Sequence, residues 1–137
     1  MKKILITTLL VFFLPSTSQA QHYLNYTDNK IKNLFTELKR TLPRKLAKEV
    51  ILFDADLKNK DVSLSFEITT MNKDNLIFLK DFSPEILTEN KELTIQSFCE
   101  HFFYSKLIDR HYTIHAGYFD TARNSLFDVT ITKEKCL

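Results

Sequence analysis

Residues 62–69 constrain this chain most: Val62, Leu64, Phe66 and Ile68 alternate with Ser63, Ser65, Glu67 and Thr69. A period of two is the pattern of a half-buried antiparallel strand, with one face on a core and one toward water. Val50 to Asp56, just upstream, mixes branched and aromatic side chains and reads as a second strand. Lys58, Asn59, Lys60 and Asp61 form the turn between them, so the two segments predict a hairpin. The pattern recurs near the end of the chain. Tyr112, Ile114, Ala116 and Tyr118 share one face of a strand, Thr121 to Asn124 supply a turn, and Phe127, Val129 and Ile131 line the last strand.

Each hairpin is preceded by a helix. Ile31, Leu34, Phe35, Leu38 and Leu42 recur at helical spacing from about Asp28 to Leu42, with Thr27 or Asp28 as cap and Pro43 as the stop. Leu93, Ile95, Phe98, Cys99, Phe102, Phe103 and Leu107 form the apolar side of a second helix from about Asn90 to Ile108. Met71 to Glu89 is hard to read, although Ser83-Pro84-Glu85 suits the start of a short helical turn. Lys39, Arg40, Arg44, Lys45 and Lys48 read as a solvated helix end. The predicted class is α+β in the order α-β-β-α-β-β, a four-stranded antiparallel sheet with two helices packed on one face and one disulfide.

The first 20 residues predict a cleavable signal peptide. Lys2 and Lys3 precede the apolar run Ile4 to Leu14, Pro15 ends it, and Ser18-Gln19-Ala20 is a small-x-small site that places cleavage before Gln21. The run is shorter than the roughly 20 residues a bilayer span needs. It contains no cysteine for a lipid anchor. Residues 21–137 then form one domain, periplasmic or secreted, without a stable membrane anchor. Removing Lys2 and Lys3 lowers Lys plus Arg from 19 to 17, against 17 Asp plus Glu. A balanced chain argues against nucleic acid as partner. In an oxidising compartment the only two cysteines, Cys99 and Cys136, are expected to pair.

No motif fixes a reaction. The single glycine, Gly117, falls in a predicted strand, where it marks a bulge or a close contact, and a glycine-rich phosphate loop is excluded. His111 and His115 would lie about 13 Å apart on a strand at 3.3 Å per residue, too far to share one metal ion. His101 reads as a surface residue, and His22 lies in the N-terminal segment. Asp54 and Asp56 share a strand face and read as edge charges. No nucleophile and base stand together, so neither a catalytic residue nor a cofactor is assigned, and the reading favours a binding protein over an enzyme. Tyr104 and Phe119 fall off the apolar faces and are the candidate interface residues.

Leu42-Pro43 before a hairpin, Phe98-Cys99 in the second helix, the Tyr118 to Asp120 segment and the near-terminal Cys136 together resemble a loose class of small exported Gram-negative proteins of uncharacterised function. The resemblance covers about residues 42–136 and implies the fold and the Cys99 to Cys136 bridge. Some members accompany secretion or conjugation machinery or act as periplasmic immunity proteins. That implies an accessory or binding role toward another envelope or exported protein. The alternative is a small hydrolase or metal-dependent enzyme using strand carboxylates and His111 or His115.

Overall fold

The computed structural model describes residues 27–69 and 84–136. The expected signal peptide, His22 and residues 71–83 of the hard-to-read stretch lie outside them. Helix α1 spans Asp28–Arg40. Its Thr27 hydroxyl accepts the Lys30 amide at 3.2 Å, and the Thr41 hydroxyl donates to the Leu38 carbonyl at 2.7 Å, so both ends are closed. Ile31, Phe35 and Leu38, one and two turns apart, are its buried stripe.

The basic cluster that follows is only partly a helix end. Past Pro43 the chain turns back as an edge strand, β1 (Arg44–Ala47), antiparallel to β2 (Val50–Lys58). Proline ended the helix as expected, but the next residues have free backbone groups beside β2, and pairing there satisfies them. Arg44 and Lys45 stay exposed on this edge, where charge discourages further pairing. The hairpin of β2 with β3 (Asp61–Ile68) has the predicted turn, with Asn59 at φ 57°. The buried face of β3 is Val62, Leu64, Phe66 and Ile68, as its alternation requires.

Helix α2 (Pro84–Glu100) starts at the proline that marked a helical turn and runs on without a break. It then bends at residues 101–103, and α3 (Tyr104–Asp109) continues in a new direction to β4 (Thr113–Phe119) and β5 (Ser125–Ile131). The sheet order is β1-β2-β3-β4-β5, and β3 pairs with β4 in parallel. Among the described residues the sheet is therefore mixed and five-stranded, with three α-helices, where four antiparallel strands and two helices were expected. A link that leaves one side of the layer and returns through α2 and α3 is a crossover, and crossovers join parallel strands.

The bend has a local cause. The His101 Nδ1 accepts the backbone N–H of Phe103 at 3.1 Å and of Tyr104 at 3.4 Å, capping α3 where α2 stops. His101 is 6% exposed and stacks on Phe102 at 4.4 Å, so it is not the expected surface residue. Tyr104, expected at an exposed contact surface, is 1% exposed. The bend resets the helical phase and turns Tyr104, Leu107 and Ile108 into the core.

Burial lowers the His101 pKa to about 4 from its ordinary value near 6.5. On acidification the unfolded chain takes up this proton first, so the stability is fully present above about pH 6.5 and is lost as pH falls toward 4. The unfolding free energy is expected to be about 2 kcal/mol lower at about pH 5 than at pH 7.5. Urea titrations at the two pH values check this; His101→Asn keeps an acceptor near α3 without the titration and should flatten the dependence. An equally steep loss in that variant would assign it to other groups.

The Cys99 to Cys136 disulfide joins the last turn of α2 to the 3-10 turn Lys133–Cys136 after β5, with the Cα atoms 5.4 Å apart. The described helices pack on the strands, α1 against β2, α2 against β5 and α3 against β4, and share one buried cluster with the sheet. Phe98, Phe103, Phe66 and Tyr118 fill the single core between these layers. Among the described residues no helix is long and apolar enough to cross a membrane.

Candidate functional site

The other face of the sheet carries the arrangement that core packing does not explain. Phe53 is the extra residue of a bulge, because the β2–β3 register slips between Leu52 and Asp54. The bulge lets Val50 and Leu52 before it, and Ala55 after it, all keep to the core. Phe53 points the other way and meets Phe119 of β4 edge-on, ring centroids 5.4 Å apart. Both rings are half-buried and stand outside the residues packed on the core. They meet above β3, in the row where Ser65 pairs with Gly117 and Glu67 with Phe119.

A latched turn completes the cluster. The Asp120 carboxylate accepts the amides of Ala122 (2.9 Å) and Asn124 (2.8 Å) and the Asn124 side chain (3.2 Å). Desolvation opposes the charge, but the bonds from Asn124 and Ala122 outweigh it and hold the carboxyl below the usual range. Arg123, in the left-handed conformation at φ 66°, is thereby turned over the sheet. Its guanidinium lies 3.6 Å from the Phe53 ring centre, and its Nε donates to Glu67 Oε1 at 2.8 Å. A cation held over the Phe53 ring of an aromatic pair, with its counter-ion fixed beside it, offers a preordered contact for a protein surface.

Gly117 makes room for this. A Cβ at that position would stand 3.0 Å from Phe119 Cε1 and 3.3 Å from its Cζ. The ring is a movable side chain, so Gly117→Ala is expected to leave the unfolding midpoint nearly unchanged while swinging Phe119 off Phe53. Aromatic nuclear Overhauser contacts between the two rings should vanish; their persistence would refute the close approach.

His111 sits at φ 65° between α3 and β4, and only His115 lies on the strand. His115 Nε2 is 3.4 Å from Asp61 Oδ1, and Nδ1 is 3.4 Å from Thr130 Oγ1. Among the described residues no group of three or more His, Cys, Asp or Glu side chains is placed to hold a metal ion. Asp56 points to Lys39 at 3.7 Å and accepts the Leu57 amide, a charge at the sheet margin like its neighbour Asp54.

Of the four clustered residues, only Phe119 is among the interface candidates read from the sequence; Phe53, Glu67 and Arg123 are not. The available signal was the slip in apolar phase within β2, from Val50 and Leu52 to Ala55 and Leu57, which marks a bulge at Phe53.

No protein-family model and no curated protein matches this chain. Solved structures do share its fold. A candidate secreted protein from Pseudomonas aeruginosa has a TM-score of 0.60 at 7% identity, over 90% of this chain and 100% of its own. The type II secretion system pilotin AspS from Vibrio cholerae has a TM-score of 0.55 at 18% identity, over 89% of this chain and 100% of its own. The pilotin EpsS of the Vibrio vulnificus type 2 secretion system has 0.59 at 12%, over 88% and 98%. The expected resemblance to exported proteins is thus found at the level of fold.

Proposed function

We propose that this chain is an exported accessory protein of a secretion system, which binds another envelope or exported protein through the outer face of its sheet. The observation that carries the reading is the Phe53–Phe119 pair under Arg123. An aromatic pair and an arginine on the solvent side, built by a bulge, a latched turn and the only glycine, serve contact better than stability. Two of the proteins that share its fold are secretion pilotins, which favours secretion over the conjugation and immunity readings. Export would follow cleavage before Gln21, and the working site would be the periplasm or beyond.

The test is complementation of a deletion strain, read as the amount of secreted protein in the medium. Phe53→Asp with Phe119→Asp is expected to abolish complementation while leaving the circular dichroism spectrum and the cellular level unchanged. Full complementation by that folded double variant would refute the outer face as the working surface. Mass spectrometry of the periplasmic and secreted fractions checks the mature start at Gln21.

One observation favours a hydrolase as second reading: Thr130, His115 and Asp61 stand in line like a nucleophile, a base and its orienting carboxylate. They lie on an open face at loose distances. Turnover of a nitrophenyl ester that disappears in His115→Ala would establish it, and the absence of turnover in the parent chain would remove it.

A further inference from the structure

Strand β1 covers only the start of β2, pairing Arg44, Lys45 and Ala47 with Leu52, Ile51 and Val50. Among the described residues, 54–58 of β2 have β3 on one side and no strand on the other. Every second residue there aims its backbone N–H and C=O away from β3, as on any strand edge. The Leu57 N–H is met by the neighbouring Asp56 carboxylate at 3.0 Å, a local stand-in for a strand partner.

Beside this edge, α1 and β2 enclose two hollows of about 410 and 290 Å³ that share Lys32 and Leu57 and so form one trough. Phe35 and Leu57 give it an apolar lining. Its cations are Lys32, Lys39, Arg40 and Lys60, against the carboxylates of Asp28 and Asp56. Both carboxylates are already engaged. Asp28 accepts the Tyr112 hydroxyl at 2.8 Å and pairs with Arg110, while Asp56 faces Lys39. The Tyr112 bond and, after it, the Arg110 charge hold the Asp28 carboxyl below the usual range, so it stays an anion matched within the protein. The chain as a whole is nearly charge-balanced; in the trough Lys39 is matched by Asp56 and Arg40 by Glu37 at 2.6 Å, while Lys60 donates to the neutral Arg110 carbonyl, so the positive charge in excess is that of Lys32 and Lys60.

We propose that the trough between α1 and the open edge of β2 takes an extended acidic segment of a partner protein, added as a strand beside residues 54–58. Main-chain bonds to the edge supply affinity, and Lys32 with Lys60 selects acidic side chains. The 13 residues of α1 span about 20 Å, room for roughly six extended residues. This surface is distinct from the Phe53–Phe119 face, so either can fail without the other.

The probe is a fluorescent peptide of alternating aspartate and leucine, and the readout is anisotropy with the purified disulfide-bonded protein. Binding is expected to weaken at least tenfold in Lys32→Glu, whose side chain is exposed and lies outside the core, and to be unaffected in the Phe53→Asp, Phe119→Asp variant. It should weaken to a similar degree when alternate peptide bonds of the probe are N-methylated, a change that leaves the protein untouched. Amide shifts should map to residues 32–40 and 54–60. Undiminished binding of the N-methylated probe overturns strand addition. Equal binding of a lysine-leucine peptide overturns charge selection. No binding of the acidic peptide, with Lys32-dependent capture of phosphatidylglycerol vesicles or an oligonucleotide in its place, overturns the proposal outright.

Discussion

Unfolding free energy should fall by about 4 kcal/mol when Cys99 and Cys136 are both replaced by serine, because the bridge closes a loop in the unfolded chain between cysteines 37 positions apart. Few single features of a domain this size are worth as much, given a total stability of about 5–15 kcal/mol. The bridge also ties together parts with little else to hold them. The turn Lys133–Cys136 contributes no buried residue, and its described contacts of note are with α2 and through Lys135 to the Thr130 carbonyl at 2.7 Å. Urea unfolding followed by circular dichroism, on the oxidised protein, the reduced protein and the double serine variant, measures the effect. Reduced and serine forms should agree with each other and unfold at a markedly lower midpoint. A midpoint shared by all three would show that the bridge does not stabilise the fold.

Phe66→Ala should cost about 4 kcal/mol, within the range for deleting a fully buried phenylalanine. Phe66 is 0% exposed on β3, the central strand, and its ring stacks on Tyr118 at 5.1 Å and 13°. Truncation removes that contact and leaves a void between the sheet and the helices that rigid neighbours cannot fill. Phe119→Ala removes a ring of the same size from the opposite face and should cost far less, within the range of substitutions away from the core. The pair of variants separates the two faces of one sheet: one phenylalanine holds the fold, and the other is available for contact. Similar losses for both would mean that the outer cluster is structural, which would weaken the functional reading directly.

Legibility followed the range of the interactions. The alternation in β3 identified its buried face residue by residue, and the helical spacing of Ile31, Phe35 and Leu38 identified the stripe of α1, because both depend on backbone periodicity alone. The partner of β3 was a different matter. Its pattern says which side is buried, while the direction of a neighbour depends on where the chain returns after α2 and α3. A single parallel pair within a one-sided sheet leaves the same alternation as an antiparallel one. The histidine that caps α3 escaped for a similar reason. The apolar side read through Phe98, Cys99, Phe102, Phe103 and Leu107 has no visible break, and the bend is accompanied by two hydrogen bonds to His101 Nδ1.

The outer-face cluster was half legible. Phe119 stood out because it is aromatic and off the buried phase of its strand, but its partners come from β2, β3 and the turn after β4, 66, 52 and 4 positions away in the chain. What the sequence by itself determined is the set of elements written in local periodicity: the first helix, the two hairpins, and the two cysteines that pair in the structure. Only the tertiary structure decided that the central strands run parallel, that Tyr104 and His101 turn inward, and that Phe53, Phe119, Glu67 and Arg123 meet outside. Periodicity places a side chain on a face, whereas its neighbours are settled by chain return, bulges and bends that involve distant residues.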